Sequence, residues 1–151
     1  MELVSINKEI VKHLLSDEEL FNRFTEDGIE YNSYIVPDGV YLGIFHDDNI
    51  IGFWALDSET SSTIGIHCNV IEKYREHSML VGSYFADYIF STYPHVHKLN
   101  AKIATAYKDV YAFTKKFGFK DEGVDRKSFM KEGELLDRHI LGLTREDYKN
   151  G

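Results

Sequence analysis

The stretch Asn69-Val70-Ile71-Glu72-Lys73-Tyr74-Arg75-Glu76-His77-Ser78-Met79-Leu80 changes character twice, from an apolar strand to a charged turn and then to the start of an amphipathic helix. Such a step suits phosphate, because the first backbone N–H groups of a helix lack a partner and the helix dipole adds partial positive charge there. His67 sits on the incoming strand. An imidazole with an ordinary pKa of ~6.5 could take a proton from an ammonium, or be no more than a hydrogen-bonded strand histidine. Glu72 is a second candidate base, set against the solvated state usual for a charged loop residue. Cys68 would be a nucleophile only beside a base, and the neighbouring His67 points to the opposite face of a regular strand, so inert packing is the expectation. His95 and His97 alternate as strand ligands do, but no third ligand stands at a recognisable spacing, so no metal site is expected. Neither a nucleotide P-loop nor a serine-hydrolase elbow nor a zinc-protease motif occurs.

Composition limits what these residues can serve. A chain of 151 residues, 43% hydrophobic and 14% aromatic with two prolines, is expected to fold as one domain over residues 1–151. No apolar run approaches the ~20 residues that span a bilayer, and the N-terminus lacks the pattern of a signal peptide, so a cytoplasmic location is expected. The lone Cys68 excludes an internal disulfide and any multi-cysteine zinc site. Charge is divided unevenly: residues 1–62 carry 13 acids against 3 Lys/Arg, and residues 63–151 carry 12 against 14. An acidic half suits a cationic ligand and the other half an anionic one, while the net charge of −8 argues against general nucleic-acid binding. A solvated acidic face is the simpler alternative.

The elements that must position the turn follow from pattern. After a short strand at Leu3-Val4, Asn7 can cap a helix with Ile10, Val11, Leu14 and Leu15 on one face, and Ser16 to Glu19 forms a capping box ahead of Leu20, Phe21 and Phe24. Tyr41–Phe45 and Ile50–Leu56 read as strands joined by a hairpin turn at His46-Asp47-Asp48-Asn49, and Thr63–Ile71 as a third. Ser78 is the expected N-cap of a helix in which Leu80/Val81, Tyr84/Phe85 and Tyr88/Ile89 recur until Pro94; Trp54, Tyr84 and Tyr88 are read as core. Lys98–Ala104 alternates as a strand, a helix from about Asp109 ends at Gly118, and strands over 120–131 and 134–143 close on a Glu132-Gly133 turn. The order implies an α/β sandwich with a mixed sheet.

Over about residues 40–148 the chain resembles the GNAT N-acyltransferase superfamily. Val70-Ile71-Glu72-Lys73-Tyr74-Arg75 is similar to that family's acyl-CoA pyrophosphate signature, and Ala112-Phe113-Thr114-Lys115-Lys116-Phe117-Gly118-Phe119-Lys120-Asp121-Glu122-Gly123 to its helix-to-strand run. The closing Gly142-Leu143-Thr144-Arg145-Glu146-Asp147-Tyr148 also looks like that of many members. Ile66-His67-Cys68-Asn69 and Tyr107-Lys108-Asp109-Val110-Tyr111-Ala112-Phe113 resemble a branch carried by tailed bacteriophages, some of whose members bear head-assembly labels.

The resemblance implies the GNAT acyl-CoA N-acyltransferase fold, a central mixed β-sheet flanked by helices, with acetyl-CoA as co-substrate, no metal, and a small-molecule or protein amine as acceptor. It implies that acyl-CoA lies in the splay of strands 63–71 and 98–104, held by the backbone of Cys68, Asn69 and Val70 and by the turn Arg75, Glu76, His77, Ser78, Met79 and Leu80. Lys73, Arg75, Lys108, Lys115 and Lys116 become partners for CoA phosphates, and Tyr107 and Thr114 fall at cofactor-contacting positions. A deprotonated amine attacks the thioester, an N–H near Val70 steadies the oxyanion, and an acid returns a proton to the thiolate. His67 is the base; Tyr107 or Tyr111 supplies the acid, because Thr114 occupies the family's tyrosine position and Tyr107 that of its asparagine. Ser78 and Leu80 stand where the family usually has glycine. Neither nucleic acid nor membrane is an expected partner; a homodimer is a candidate assembly that the sequence does not decide. The alternative is a GNAT-like protein without turnover that binds or assembles, with phage structural proteins as partners.

Overall fold

The computed structural model describes residues 1–151. The elements in chain order are β1 (Glu2–Ile6), α1 (Lys8–Leu14), α2 (Glu18–Phe24), a 3-10 turn (Tyr31–Ser33), β2 (Val40–His46), β3 (Asn49–Ser58) and β4 (Thr63–Val70). A second 3-10 turn (Glu72–His77), α3 (Ser78–Thr92), β5 (Lys98–Ala104), α4 (Lys108–Phe117), β6 (Lys120–Lys131), β7 (Glu134–Thr144) and α5 (Arg145–Asn150) follow. The seven strands form one mixed sheet in the order β1-β2-β3-β4-β5-β7-β6. By contacts the chain gathers into two compact units, Met1–Asp57 with His67–Ala86, and Ser58–Ile66 with Asp87–Gly151.

In the first unit β1 pairs antiparallel with β2, and β2 with β3 through a two-residue hairpin. Asp47 and Asp48 both take positive φ (50° and 65°), the condition of the turn type whose twist matches the strands it joins. Strand alternation sends Phe53 to one face, where it packs with Val11, Leu14, Leu15 and Leu20 of the α1–α2 segment, with Val36 and with Tyr41. Each such side chain, fully buried, contributes about 1.5–3 kcal/mol, which is what holds two seven-residue helices that are too short to stand alone. The next residue, Trp54, faces the other way and stacks on Phe85 of α3, ring centroids 3.8 Å apart.

Helix caps agree with the sequence in part. Asn7 caps α1, accepting from the Ile10 N–H at 3.0 Å. The cap of α2 is Asp17, which accepts from Leu20, and not Ser16: the Ser16 hydroxyl donates back to the His13 carbonyl and closes α1 instead. Ser78 is likewise not an N-cap. The 3-10 turn runs straight into α3, Ser78 is already helical, and its Oγ donates to the Arg75 carbonyl at 2.6 Å. In α3 the buried stripe is Val81, Phe85, Ala86, Ile89 and Phe90, whereas Leu80 is 47% exposed and Tyr84 and Tyr88 are half-buried, so the buried face is turned one residue onward from the predicted pairs.

In the second unit Thr63–Gly65 pair parallel with Lys98–Asn100, β5 pairs antiparallel with β7, and β7 with β6. Leu99, Ile103, Phe119, Leu141 and Leu143 are buried, and Gly118 ends α4 with a φ of +127° that a side chain would oppose. The short helix α5 is fixed by the Arg145 guanidinium, which donates to the carbonyls of Phe90, Tyr93 and Val96. No helix of the chain is long and apolar enough to cross a membrane.

Candidate functional site

The end of β4 is where the backbone is left with unused groups. Its parallel ladder with β5 takes in only Thr63, Ile64 and Gly65, although β4 continues to Val70. On the β3 side the next residue is pinned, because the Ile71 N–H donates to the Ile51 carbonyl at 2.9 Å. Successive N–H groups of a strand point to opposite sides, so the Val70 N–H points away from β3. The Asn69 carbonyl, in the same trans peptide as that N–H, lies against Gly52: a Cβ there would stand 2.0 Å from this oxygen. A backbone donor directed off the strand, one residue before a helical turn, can receive an oxyanion or a ligand carbonyl.

The side chains of this strand have settled tasks. The Asn69 amide is buried and donates to the carbonyls of Phe53 (3.4 Å) and His67 (3.3 Å), so only its backbone is offered to a ligand. His67 is exposed and its ring stacks on Phe24, centroids 5.3 Å apart and 16° between planes, which holds the imidazole while leaving it reachable from solvent. Cys68 is also exposed, yet desolvation by surrounding protein pushes its thiol up to about 12, with nearby Arg75 pulling weakly the other way. At neutral pH this is a protonated thiol and not a nucleophile.

The turn does not present the positive charge that its sequence suggests. Arg75 donates to Glu19 of α2 through both terminal nitrogens, at 2.7 and 2.6 Å, and through Nε to the Val70 carbonyl at 3.1 Å. Its side chain therefore braces the protein rather than facing outward as a phosphate partner. The hydrogen bond from Arg75 is the main reason the Glu19 carboxyl lies below the usual range, with Arg23 adding to it. Lys73 lies over the Tyr74 ring at 5.0 Å, and Glu72 and Glu76 are exposed acids on the same turn. His77 packs on His46 with ring centroids 4.6 Å apart. An anion here would be held by N–H groups and the helix dipole, with Met79 (42% exposed) and Leu80 beside it.

The other candidate residues lie on and before α4, in the second unit. Tyr107 is half-buried, with its ring edge-on to Phe129 at 6.2 Å. Tyr111 donates to both oxygens of Asp121 (3.0 and 2.8 Å) and lies against the His139 ring at 4.1 Å; Lys115 also donates to Asp121, at 2.6 Å. The hydrogen bond to Asp121 raises the Tyr111 pKa, the opposite of what helps a proton donor, and occupies Lys115, which the sequence offers to CoA phosphates. Thr114 is buried, with its hydroxyl donating to the Val110 carbonyl at 2.7 Å, and so does not face a ligand. That is the usual fate of a helical threonine, which bonds back one turn. His95 and His97 are exposed, and no group of three or more His, Cys, Asp or Glu side chains is placed to hold a metal.

The structure thus gathers His67, Cys68, Asn69, Val70 and the residues Arg75 to Leu80 in one unit, and Tyr107, Tyr111 and Thr114 in the other. It adds Glu19 and Gly52, which sequence reasoning missed. Nothing local in the sequence pairs Glu19 with a residue 56 positions away, and a glycine on a strand signals close backbone approach only in general terms. A separate open depression of about 550 Å³ at the start of β4 and β5 is lined by Thr63, His97, Lys98, Arg145 and Lys149 and contains none of the candidate residues.

No protein-family model and no curated protein sequence matches the chain. Solved structures do. The spermidine N-acetyltransferase of Vibrio cholerae in complex with CoA and spermine superposes with a TM-score of 0.79 at 17% identity, over 99% of this chain and 98% of that one. A K23-Q34 chimera of the Vibrio cholerae spermidine N-acetyltransferase SpeG and hSSAT gives 0.81 at 15% identity over 99% of this chain and 98% of that one. The chain has the GNAT acyl-CoA N-acyltransferase fold, a mixed seven-stranded sheet with flanking helices.

Proposed function

We propose that this protein is an acyl-CoA-dependent N-acetyltransferase whose acceptor is a small cationic amine. The observation that carries the reading is the Val70 N–H, directed away from β3 at the end of a strand that runs into a helical turn. In this reading the thioester carbonyl accepts from Val70, the backbone of residues 66–70 pairs with the pantetheine arm, and the start of α3 receives the pyrophosphate. The acceptor ammonium loses its proton to His67, directly or through water, and the amine attacks the carbonyl carbon. Collapse of the tetrahedral intermediate breaks the C–S bond and expels CoA thiolate, which is protonated from solvent, while the amide nitrogen releases its remaining proton to solvent.

The acidic first half supports a cationic acceptor, since Glu26, Asp27 and Glu30 form an exposed acidic run just after Phe24, the residue that carries His67. The Vibrio cholerae enzyme that shares the fold was solved with CoA and spermine, which makes polyamines the first acceptors to try. Purified protein given acetyl-CoA and a panel of spermidine, spermine and smaller amines is expected to release free CoA thiol with at least one polyamine and to bind acetyl-CoA in calorimetry at micromolar concentration.

A second reading has its own support. Arg75 is neutralised by Glu19, Leu80 stands exposed at a position where the family usually has glycine, and Thr114 is turned inward. A GNAT fold without turnover, used in assembly as in the phage branch that the sequence resembles, would carry these features. It predicts no acetyl-CoA binding at millimolar ligand and no thiol release with any amine.

A further inference from the structure

Arg75 and Glu19 form the one contact in which the segment α1–α2 grips the end of β4 through a fork of two hydrogen bonds, and both side chains are about a quarter to a third exposed. An ion pair this accessible adds little stability, which leaves its geometry to be explained. The geometry concerns a single peptide. The carbonyl of Val70 accepts from Arg75 Nε, and the N–H on the far side of the same peptide, that of Ile71, donates to Ile51. The peptide before it is held by the Asn69 carbonyl against Gly52. The Val70 N–H lies between these two anchors. Only one of them, Arg75, is a side chain, and its direction is set by Glu19, itself steadied by Arg23 at 3.1 Å one turn along α2.

We propose that Glu19 is a positioning residue for acyl transfer, acting through Arg75 to fix the orientation of the Val70 N–H toward the developing oxyanion; the proposal rests on the acyl-transfer reading above. Arginine suits the task because its planar fork can meet both carboxylate oxygens while Nε reaches the carbonyl, which a lysine cannot do. Donor placement matters in the transition state more than in ground-state binding, so the signature is a fall in kcat with binding retained.

The test compares the parent with Glu19→Gln, Arg75→Lys and the double variant. Binding of acetyl-CoA is measured by calorimetry, and kcat is referred to the binding-competent fraction so that partial unfolding cannot imitate the effect. The expected result is a roughly tenfold or larger loss of kcat in each single variant, acetyl-CoA affinity within about threefold of the parent, and a double variant no worse than the singles, because the two side chains act as one unit. Single variants with kcat within twofold of the parent overturn the proposal, and so does a loss carried by acetyl-CoA affinity. A parent protein with neither binding nor turnover overturns the acyl-transfer reading itself.

Discussion

Replacing Gly52 by alanine is expected to cost at least about 3 kcal/mol of folding stability, the upper end of what overpacking costs, and to abolish any activity that depends on β4. A Cβ at this position would lie 2.0 Å from the Asn69 carbonyl oxygen and 2.9 Å from the Val70 Cα, and both are backbone atoms that cannot rotate out of the way. The end of β4 would have to move, taking the Val70 N–H with it. Gly43, on the adjacent strand β2, is the control: the nearest atoms to its added Cβ are side-chain atoms of Ile6, Ile50 and Phe45, at 2.9–3.2 Å, and none is backbone. Urea denaturation should therefore show a much larger loss for Gly52→Ala than for Gly43→Ala. Equal losses would mean that the approach of β3 to β4 is not a constraint.

Arg145→Ala is expected to destabilise the second unit by about 3 kcal/mol, an effect read as a lower urea midpoint. The guanidinium donates to the carbonyls of Phe90 (2.6 Å), Tyr93 (2.9 Å) and Val96 (2.6 and 2.9 Å), and it lies over the Phe90 ring at 4.9 Å. Phe90 belongs to the last turn of α3, whose carbonyls have no partners within the helix and carry the negative end of its dipole. Removing the cation leaves the Phe90 and Val96 carbonyls to find water in a partly buried place, while the Tyr93 carbonyl keeps the Val96 N–H at 3.0 Å. Arg145→Lys should recover at most half of the loss, because a single ammonium nitrogen cannot reproduce the spread of Nε, Nη1 and Nη2 over the Phe90, Tyr93 and Val96 carbonyls. A midpoint unchanged in Arg145→Ala would show that solvent replaces the guanidinium without cost.

The elements of the fold are legible in the sequence because local signals and tertiary burial agree. Val81, Phe85 and Ile89 recur at helical spacing and are buried, Asp47-Asp48 supplies the turn that joins β2 to β3, and Gly118 ends α4 with the positive φ its type permits. The mixed sheet follows from that order of elements and its GNAT fold from the resemblance of the motifs, and the structure bears both out. Side-chain commitments are less legible because they depend on partners far apart in the chain. Arg75 reads as a phosphate ligand from its place on the turn and is claimed by Glu19; Lys115 and Tyr111 read as site residues and are claimed by Asp121. Ser78 and Ser16 have the composition of caps, but each hydroxyl turns back to the preceding turn. In each case the competing acceptor is a backbone carbonyl or a carboxylate that periodicity does not report.

The account turns on whether acyl-CoA uses the end of β4 and the turn that follows it. The direct measurement is a titration of isotope-labelled protein with acetyl-CoA, followed through the backbone amide signals of Val70 and of Ser78 to Leu80. Saturable shifts at these amides, larger than at those of Leu3 and Val4 in β1, which β2 and β3 separate from β4 in the sheet, are the predicted result. Amides of this stretch that stay unmoved at millimolar acetyl-CoA would contradict the account.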